Sequence, residues 1–283
     1  MKVPFSYLKE QFARPEPILK DIGKLVKTGD FTLGKQVAQF EAKFAKVCGT
    51  RFAVGVNSGT DALFLSLKAL GIGAGDEVIT MPNTFIATVG AIAASGAKPV
   101  FVDCNDEYVI NTDLIEAAIT SKTKAIMPVH YAGHPADMAK VLAIAKKHSL
   151  RVVEDACQGI CSSIDGKVTG SFGDAGGFSL HPLKNINVWS DGGIVTTNSE
   201  QIYRKLILLR NHGMSNRDEY EMFGYNSRLD TVQAVVGLHI IKDLEKITRR
   251  RIENARAYDT GLADLRQIKF PPRRKNVRYV YHL

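Results

Sequence analysis

The sequence predicts an α/β fold with three layers, in which helices cover both faces of a mostly parallel β-sheet. Short apolar runs rich in β-branched residues alternate with amphipathic stretches of helical spacing along most of the chain. Parallel strands need helical crossovers of this kind, because a tight turn cannot return the chain to the start of a parallel neighbour. The 283 residues are 45% hydrophobic, which is enough to bury a large core.

The elements follow one another in a regular order. Two N-terminal helices are predicted around 15–28 and 35–48. The alternating part is predicted as strand 51–57, helix 60–70, strand 76–81, helix 84–95, strand 98–103, helix 112–119, strand 124–130, helix 135–148 and strand 151–155. The stretches FSLHPLKN (178–185) and DGGIVTTN (191–198) then predict a strand, a loop and a returning strand.

The C-terminal part is predicted to differ from this repeating pattern. Residues 229–263 have helical spacing with charged residues on one face, and VRYVYHL (277–283) alternates like a strand. A strand without a partner is marginally stable, so we expect a missing portion to supply one. The predicted division is a large domain over 1–245, N-terminal helices included, and the start of a truncated small C-terminal α/β domain over 246–283.

Charge and composition narrow the class of function. The formal net charge is +8, and much of the basic excess lies in KITRRRIENAR (246–256) and PPRRKNVR (271–278). A solvated helix face explains the first run, so we expect no nucleic-acid partner, whereas an anionic small substrate is compatible with the charge.

The sequence contains no apolar run of about 18 residues, so we expect no membrane span. The N-terminal sequence has no apolar signal region, so we expect a cytoplasmic protein. The four cysteines form no C-x-x-C motif and are expected to be reduced thiols: Cys48, Cys104, Cys157 and Cys161.

Two glycine-containing turns have different meanings. In VNSGTDAL (56–63), a strand ends and a helix begins, so backbone N–H groups and hydroxyls at the turn could bind a phosphate. A plain N-cap by Ser58 or Thr60 is the alternative and is favoured when the stretch is considered alone. GIGAGDEV (71–78) superficially suggests a dinucleotide loop, but it follows a helix and precedes a strand. That order predicts a helix-terminating turn instead.

A carboxylate and a lysine complete the candidate chemistry. Asp155, in RVVEDACQG (151–159), falls at the end of an apolar strand, where burying a carboxylate requires a cation or strong donors. A turn-capping role is the alternative; a metal site shared with Glu154 is disfavoured because adjacent strand residues face opposite sides. Lys184, taken alone, is an ordinary surface lysine. The order of phosphate-type turn, strand-end aspartate and loop lysine nevertheless matches what pyridoxal phosphate requires.

Four histidines raise the question of a metal site: His130, His134, His181 and His212. The first two are spaced i, i+4, but Gly133 and Pro135 disfavour a helix that would place them on one face. We therefore expect no metal site. His181 and Tyr131 are candidates for the substrate pocket, and Trp189 is a candidate for substrate choice or for packing.

The ordered motifs resemble one family over nearly the whole chain, the pyridoxal-phosphate-dependent DegT/DnrJ/EryC1/StrS sugar aminotransferases of fold-type I. The matching stretches are FTLGKQVAQFEAKFA, GVNSGTDAL, GDEVITMPNTFIAT, PVFVD, VHYAGHPADM, VVEDACQG, FSLHPLKN, DGGIVTTN, LRNHG and GYNSRLD. The resemblance implies a fold-type I transferase with a large cofactor-binding domain and a small C-terminal domain. It also implies a homodimer whose active site is shared between subunits.

The resemblance implies a role for each of eight residues. Lys184 would hold the cofactor through a Schiff base and shuttle the substrate proton, and Asp155 would pair with the protonated ring nitrogen. The other implied contacts are Gly59 and Thr60 to the phosphate, Ser179 as a further phosphate donor, Phe85 stacked on the ring, Gln158 near the ring hydroxyl, and Asn226 reaching the phosphate in the neighbouring subunit. Without the resemblance, Phe85 is explained by core packing, Ser179 by a strand hydroxyl bonded to the backbone, and Asn226 by a place in a turn.

The activity implied is transfer of an amino group from an amino acid, expected to be glutamate, to a nucleotide-linked keto-sugar in amino-sugar and surface polysaccharide biosynthesis. A sugar dehydratase of the same fold is one alternative, although such members have a histidine in place of the lysine that is Lys184 here. A non-catalytic regulatory protein that binds the cofactor is another. The sequence HPLKNINVW (181–189) around Lys184 leaves open a free sugar acid or a cyclitol as the substrate.

Overall fold

A computed structural model describes residues 6–283. Its main sheet has seven strands in the order β1-β9-β8-β5-β4-β2-β3. Their bounds are β1 Phe52–Val56, β2 Glu77–Thr80, β3 Lys98–Phe101, β4 Thr123–Ile126, β5 Arg151–Asp155, β8 Ala175–Ser179 and β9 Gly193–Thr197. Strand β9 is antiparallel to both of its neighbours, and the other pairs in the sheet are parallel. The mostly parallel sheet is therefore confirmed, as is the returning strand after the Lys184 loop.

The helices are α1 Leu8–Gln11, α2 Glu16–Val26, α3 Lys35–Cys48, α4 Gly59–Ala69, α5 Ile86–Ser95, α6 Met138–Lys147, α7 Glu200–Leu209, α8 Thr231–Ile240 and α9 Leu244–Gly261. The GIGAGDEV stretch ends α4 and leads into β2, as expected for a helix-terminating turn. Within residues 6–283, every helix is too short or too polar to span a lipid bilayer.

Alternate residues of single strands show that the sheet lies between two helical layers. In β1, Ala53 joins an apolar cluster with residues of α3 and α8, whereas Val54 joins one with residues of α4 and α7. In β2, Ile79 packs with α6 residues and Val78 with α4 and α5 residues. Because successive strand residues point to opposite faces, both faces of the sheet are covered, which is the predicted three-layer arrangement.

Three predicted elements differ from the observed ones. Residues 112–119 form two 3₁₀ turns of three residues each instead of an α-helix, because a segment of eight residues makes too few i→i−4 hydrogen bonds to offset the cost of helix nucleation. Strand 124–130 ends at Ile126. The long helix over 229–263 is interrupted at 241–243, where Lys242 and Asp243 donate to carbonyls three residues back and tighten the turn.

The C-terminal strand is shorter than predicted and finds its partner within the chain. Only β10 (Val277–Arg278) is extended in a ladder, and it pairs with β6 (Ser163–Ile164). Strand β6 also pairs with β7 (Lys167–Val168) across an Asp-Gly turn, a hairpin signal that the sequence prediction overlooked. The division into domains 1–245 and 246–283 stays a prediction, and its boundary lies in the first turn of α9.

Candidate active site

Three strand ends meet at one edge of the sheet. Gly193 of β9 pairs with Val56, the last residue of β1, on one side and with Ser179, the last residue of β8, on the other. Asp155, the last residue of β5, pairs with Gly177 of β8. This edge carries the carboxyl ends of parallel strands, where ligands bind in open α/β sheets.

The turn between β1 and α4 forms a small concave cradle of backbone N–H groups. The Ser58 hydroxyl oxygen accepts a hydrogen bond from Asp61 N at 3.0 Å, so Ser58 is the N-cap, as the simpler of the two interpretations states. The N–H groups of Gly59 and Thr60 have no hydrogen-bond acceptor among residues 6–283. Two free donors at the positive end of a helix favour a phosphate. The N-cap and the phosphate interpretations are therefore compatible.

Close approach of two glycines brings the cradle against β8 and β9. A Cβ on Gly59 would lie 2.6 Å from Ser179 Cβ, and a Cβ on Gly193 would lie 2.1 Å from the Ser58 carbonyl oxygen. Side chains cannot be accommodated at these distances. The Ser179 hydroxyl oxygen accepts from His181 N at 3.3 Å, which leaves its proton free to be donated toward a ligand.

A buried ion pair fixes the strand that leads into the cradle. Glu41 accepts a hydrogen bond from Gly55 N at 2.7 Å, and Arg210 donates to Gly55 O at 2.9 Å. Arg210 and Glu41 also bind each other, with both side chains nearly inaccessible to solvent. Because the two charges satisfy one another and both backbone groups of Gly55, this end of β1 is held in one position.

Asp155 is buried with two hydrogen-bond donors already in place. Its side chain is 5% exposed, and it accepts from the Thr88 hydroxyl at 2.6 Å and from Cys157 N at 3.1 Å. Thr88 lies in the first turn of α5 and its hydroxyl also contacts the Thr84 hydroxyl at 2.7 Å. The carboxylate is thus held in a fixed orientation at the strand end.

Glu154 faces the opposite side of β5, as alternation along a strand requires. It accepts hydrogen bonds from His130 Nε2 at 2.9 Å and from the N–H groups of Gly170, Phe172 and Gly173. These bonds satisfy a buried carboxylate without a metal ion. Among residues 6–283, no group of three or more His, Cys, Asp and Glu side chains is arranged to hold a metal.

Lys184 is half-buried in the loop after β8, which distinguishes it from an ordinary surface lysine. Its backbone N–H donates to His181 O at 2.9 Å and closes the turn. The Cys157 thiol connects it with Asp155: burial raises the pKa of this thiol well above its usual value, the Asp155 charge adds to the rise, and the Lys184 charge opposes it. Lys184 lies in the loop that follows β8, and β8 pairs with the strand that ends at Asp155, so the lysine and the carboxylate follow the carboxyl ends of neighbouring strands although 29 positions separate them.

Phe85 and Gln158 lie at the rim of this region. Phe85 is the N-cap of α5 and its side chain is 67% exposed, so core packing does not explain it. Thr88 of the same helix donates a hydrogen bond to Asp155, so the end of α5 that begins at Phe85 lies beside the carboxylate. Gln158 Oε1 accepts from Ala132 N at 2.6 Å, which fixes its side chain and leaves the amide NH₂ as a donor.

Asn226 is exposed in a segment that is tied to the cradle through its neighbour. The Ser227 hydroxyl donates to Asp61 Oδ2 at 2.6 Å and accepts from Asn57 N at 3.3 Å. Asp61 is also the residue whose N–H is capped by Ser58. The position of the Asn226 segment and the shape of the cradle are therefore set by one shared set of hydrogen bonds.

The remaining candidates for the substrate pocket separate into exposed and packed residues. His181 is exposed beside Lys184. Trp189 packs edge-on against Phe12, with ring centroids 5.5 Å apart, and therefore belongs to the core boundary. Tyr131 is partly buried against the cluster around α6. His134 packs against Tyr279, and burial together with the nearby arginines lowers its pKa to about 4.

The model of the DegT/DnrJ/EryC1/StrS aminotransferase family matches residues 14–283. The chain belongs to this family. One relative is a UDP-N-acetyl-3-dehydro-alpha-D-glucosamine 3-aminotransferase of Acidithiobacillus ferrooxidans, 49% identical over 236 residues, a stretch that covers 83% of this chain and 64% of the relative. The chain thus spans less than two thirds of that protein's length.

Solved structures of DegT/DnrJ/EryC1/StrS relatives have the same fold. S. venezuelae DesV in complex with a ketimine intermediate superposes with a TM-score of 0.96 at 39% identity, covering 99% of this chain and 76% of that one. NtdA from Bacillus subtilis with bound cofactor PMP has a TM-score of 0.92 at 36% identity, covering 99% of this chain and 65% of that one. The predicted fold class and family are confirmed.

The donor and acceptor groups of this family member fit the parts of pyridoxal phosphate. The cradle at Gly59 and Thr60 offers uncommitted N–H donors for a phosphate, and a Cβ on Gly59 would press that turn against Ser179. Asp155 offers a buried carboxylate for a protonated ring nitrogen, and Lys184 offers an amine for a carbonyl carbon. The family and the PMP-bound relative imply the same cofactor.

Three residues of this region were missed at the level of sequence. Thr88, Ser227 and His282 contact Asp155, Asp61 and Lys184, which lie 67, 166 and 98 positions away from them respectively. Thr88 had a usable signal, since TFIAT places a hydroxyl one turn after Phe85 on the same helix. The other two depend on the packing of distant segments.

Proposed function

We propose that this chain is a pyridoxal-phosphate-dependent aminotransferase that moves an amino group from glutamate to a nucleotide-linked keto-sugar. The observation that carries the proposal is the convergence of Asp155, the loop that carries Lys184 and the free N–H groups of the α4 cradle at the carboxyl ends of neighbouring strands. The names of the sugar-aminotransferase relatives support the substrate class. Surface polysaccharide biosynthesis is the setting that we infer for such a product.

Each residue near the cofactor is assigned one task. When bound, pyridoxal phosphate supplies an electron sink for the carbon that gains or loses its proton. Asp155, oriented by Thr88 and Cys157, holds the ring nitrogen in its protonated form. Lys184 would hold the cofactor through its side-chain amine, and the same amine, when free, would carry the proton to and from the substrate carbon. Gly59 and Thr60 bind the phosphate through their N–H groups.

The remaining three assignments concern orientation. Ser179 donates its free hydroxyl proton to the phosphate. Phe85 covers one face of the ring, a role supported by its exposure beside Asp155. Gln158 lies near the ring hydroxyl, and its bond to Ala132 N holds it in place.

The functional unit that we propose is a homodimer. Asn226 is exposed in a segment that also carries Phe223, whose side chain is fully exposed, and the exposed Tyr220. Exposed aromatic side chains three positions apart favour burial against another protein surface. Docking of a second copy would bring Asn226 to the phosphate of the partner's cofactor, so that each site needs both subunits.

Two other functions predict different chemistry. A sugar dehydratase of this fold would have a histidine at the position of Lys184, and a regulatory protein would bind the cofactor without turnover. Lys184 close to Asp155 supports turnover with amino transfer. The cytoplasm is the compartment that we propose, and the absence of any disulfide among the four cysteines of the described chain agrees with a reducing environment.

The test is the half-reaction with glutamate. The full chain is loaded with pyridoxal phosphate and mixed with glutamate, and we expect the absorbance of the lysine-bound cofactor to fall while that of its amine form rises. Lys184→Ala should abolish the change, whereas Lys147→Ala, on the exposed end of α6, should leave it intact. A loaded wild-type chain that shows no spectral change with glutamate contradicts the aminotransferase proposal. A screen of keto-sugars for glutamate consumption then identifies the acceptor.

A further inference from the structure

A second imidazole group lies against Lys184, from the opposite end of the chain. His282 Nε2 is 3.4 Å from Lys184 Nζ. None of the roles assigned above involves His282. The other ring nitrogen, Nδ1 of His282, is inaccessible to solvent and has no hydrogen-bond partner in residues 6–283.

The backbone around His282 is held from two sides. His282 N donates to Ala132 O at 3.0 Å, and Val280 N donates to Gly133 O at 3.3 Å. On the other side, Arg251 of α9 donates from one nitrogen to the carbonyl oxygens of Tyr281 and His282, at 3.2 and 3.1 Å. The imidazole is thus carried by a segment anchored both to the turn after β4 and to α9, so its position over the lysine is fixed.

Burial, together with the positive charges around it, keeps the His282 imidazole neutral. Burial lowers the pKa of His282 to about 3, with the positive charges of Lys184, Arg251 and His181 contributing in the same direction. A neutral imidazole has one N–H and one lone pair, and which nitrogen carries the proton is set by the hydrogen bonds available. Since Nδ1 has no partner in the described chain, the contact with Nζ is the one that decides the tautomer.

We infer that His282 is a positioning residue whose Nε2 lone pair accepts a hydrogen bond from Lys184 Nζ and holds that amine toward Asp155 and the cradle. The inference rests on the proposed function, because it assumes that Lys184 is the lysine that reacts. Its chemical consequence concerns the free amine: an acceptor without charge stabilises the ammonium form and restricts the lysine side chain to one direction. The turn at 131–133 and helix α9 therefore contribute to the geometry at Lys184 through one imidazole.

The first experiment measures Lys184 itself, without cofactor. The full chain is acetylated with trace reagent from pH 6 to pH 11 (roughly the range over which a lysine amine titrates), and the Lys184 peptide is quantified by mass spectrometry. His282→Phe removes the acceptor and keeps a ring of similar size; we expect the midpoint of the Lys184 profile to fall by about 0.5–1 pH unit. His282→Gln retains an acceptor oxygen and should restore the wild-type midpoint within about 0.3 unit.

Controls separate this effect from altered access or folding. His148→Phe, at the exposed end of α6, should leave the Lys184 midpoint unchanged. A higher plateau of acetylation with an unchanged midpoint in His282→Phe means that only access changed, and it overturns the inference. Circular dichroism establishes that each variant is folded, and His282→Leu is measured in the same way as a second apolar replacement.

The second experiment uses the loaded protein. In the half-reaction with glutamate, His282→Phe should lower the maximal rate about tenfold while the glutamate concentration at half-maximal rate changes less than about threefold, as expected when only the reactive amine is misplaced. His282→Gln should recover most of the rate. Equal rates in wild type and His282→Phe overturn the inference. If the wild-type chain does not bind pyridoxal phosphate through Lys184, the proposed function fails, whereas the acetylation midpoint still tests the contact with His282.

Discussion

Gly193 lies where the Ser58 carbonyl oxygen approaches β9. The cradle can keep its shape there only because Gly193 has no side chain. A Cβ there would lie 2.1 Å from a backbone oxygen, which cannot move without displacing the turn that carries Gly59. We expect Gly193→Ala to lower the free energy of unfolding by about 3 kcal/mol through overpacking. Urea denaturation followed by circular dichroism measures the change.

Gly90, in the middle of α5, is the matched control for this substitution. Nothing lies within 4 Å of the Cβ that an alanine would add there. Gly90→Ala should therefore raise stability by about 0.5–1 kcal/mol, because alanine favours the helix. Equal effects of the two substitutions would contradict the steric explanation for Gly193.

Site residues that lie directly at the end of a predicted strand or the start of a predicted helix were predictable from the sequence. Gly59 and Asp155 were found because Gly59 follows an apolar strand and Asp155 ends one, and the carboxyl ends of parallel strands lie on the same side of a sheet. Lys184 became prominent only through its order after these two. Ser227 and His282 were not predictable, because their contacts join segments 166 and 98 positions apart and the motifs in which they lie do not show which distant segment they contact.

Strands of the main sheet were the elements that sequence predicted best, since buried parallel strands are continuous apolar runs between turns. The prediction was wrong at 112–119, where two polar 3₁₀ turns anchored by Ile115 replace a helix. Strand 277–283 was predicted from alternation, but most of that segment binds turns and helix α9 instead of a ladder. Alternation describes which side chains are buried and does not show what the backbone binds.

The C-terminal segment 277–282 packs on His134, and this contact predicts sensitivity to acid. His134 lies 4.6 Å from the Tyr279 ring between centroids, and burial with Arg273 and Arg274 nearby lowers its pKa to about 4. In the unfolded chain its pKa is about 6.5, so between these values the unfolded state binds the extra proton. The stabilising contribution is complete above about pH 6.5 and is lost as the pH falls toward 4.

His134→Phe tests this assignment, because it keeps an aromatic ring against Tyr279 and removes the proton-binding site. Unfolding free energies measured with urea at several values from pH 7 to pH 4.5 should fall more steeply for wild type than for the variant. The difference in slope should reach at most about 1.4 kcal/mol per pH unit, the limit for one proton. Identical slopes would show that His134 does not titrate with folding.

At the scale of the whole molecule, the sheet order accounts for where the second copy is expected. Strands β1 and β3 are the two outermost strands of the sheet, and the cradle lies next to β1. The segment that contains Tyr220 and Phe223 is joined to that same side through the bonds of Ser227 with Asp61 and Asn57. The segment proposed to contact the partner is therefore linked by hydrogen bonds to the phosphate end of the site.

Phe223→Glu tests whether this surface is buried in a homodimer. The Phe223 side chain is 100% exposed in the single chain, so the substitution should cost the isolated subunit almost nothing, whereas a buried unpaired carboxylate would weaken a dimer severely. Sedimentation equilibrium should show a dimer for wild type and a rise in the dissociation constant of at least about 100-fold for the variant. Phe101→Glu, at the β3 edge and also exposed, is the control and should remain dimeric.

The rate of the glutamate half-reaction should fall for Phe223→Glu at protein concentrations where it is monomeric. The rate should recover when the protein is concentrated, since Asn226 of one subunit is proposed to complete the phosphate site of the other. A variant that stays dimeric with full activity would place the subunit contact elsewhere on the molecule.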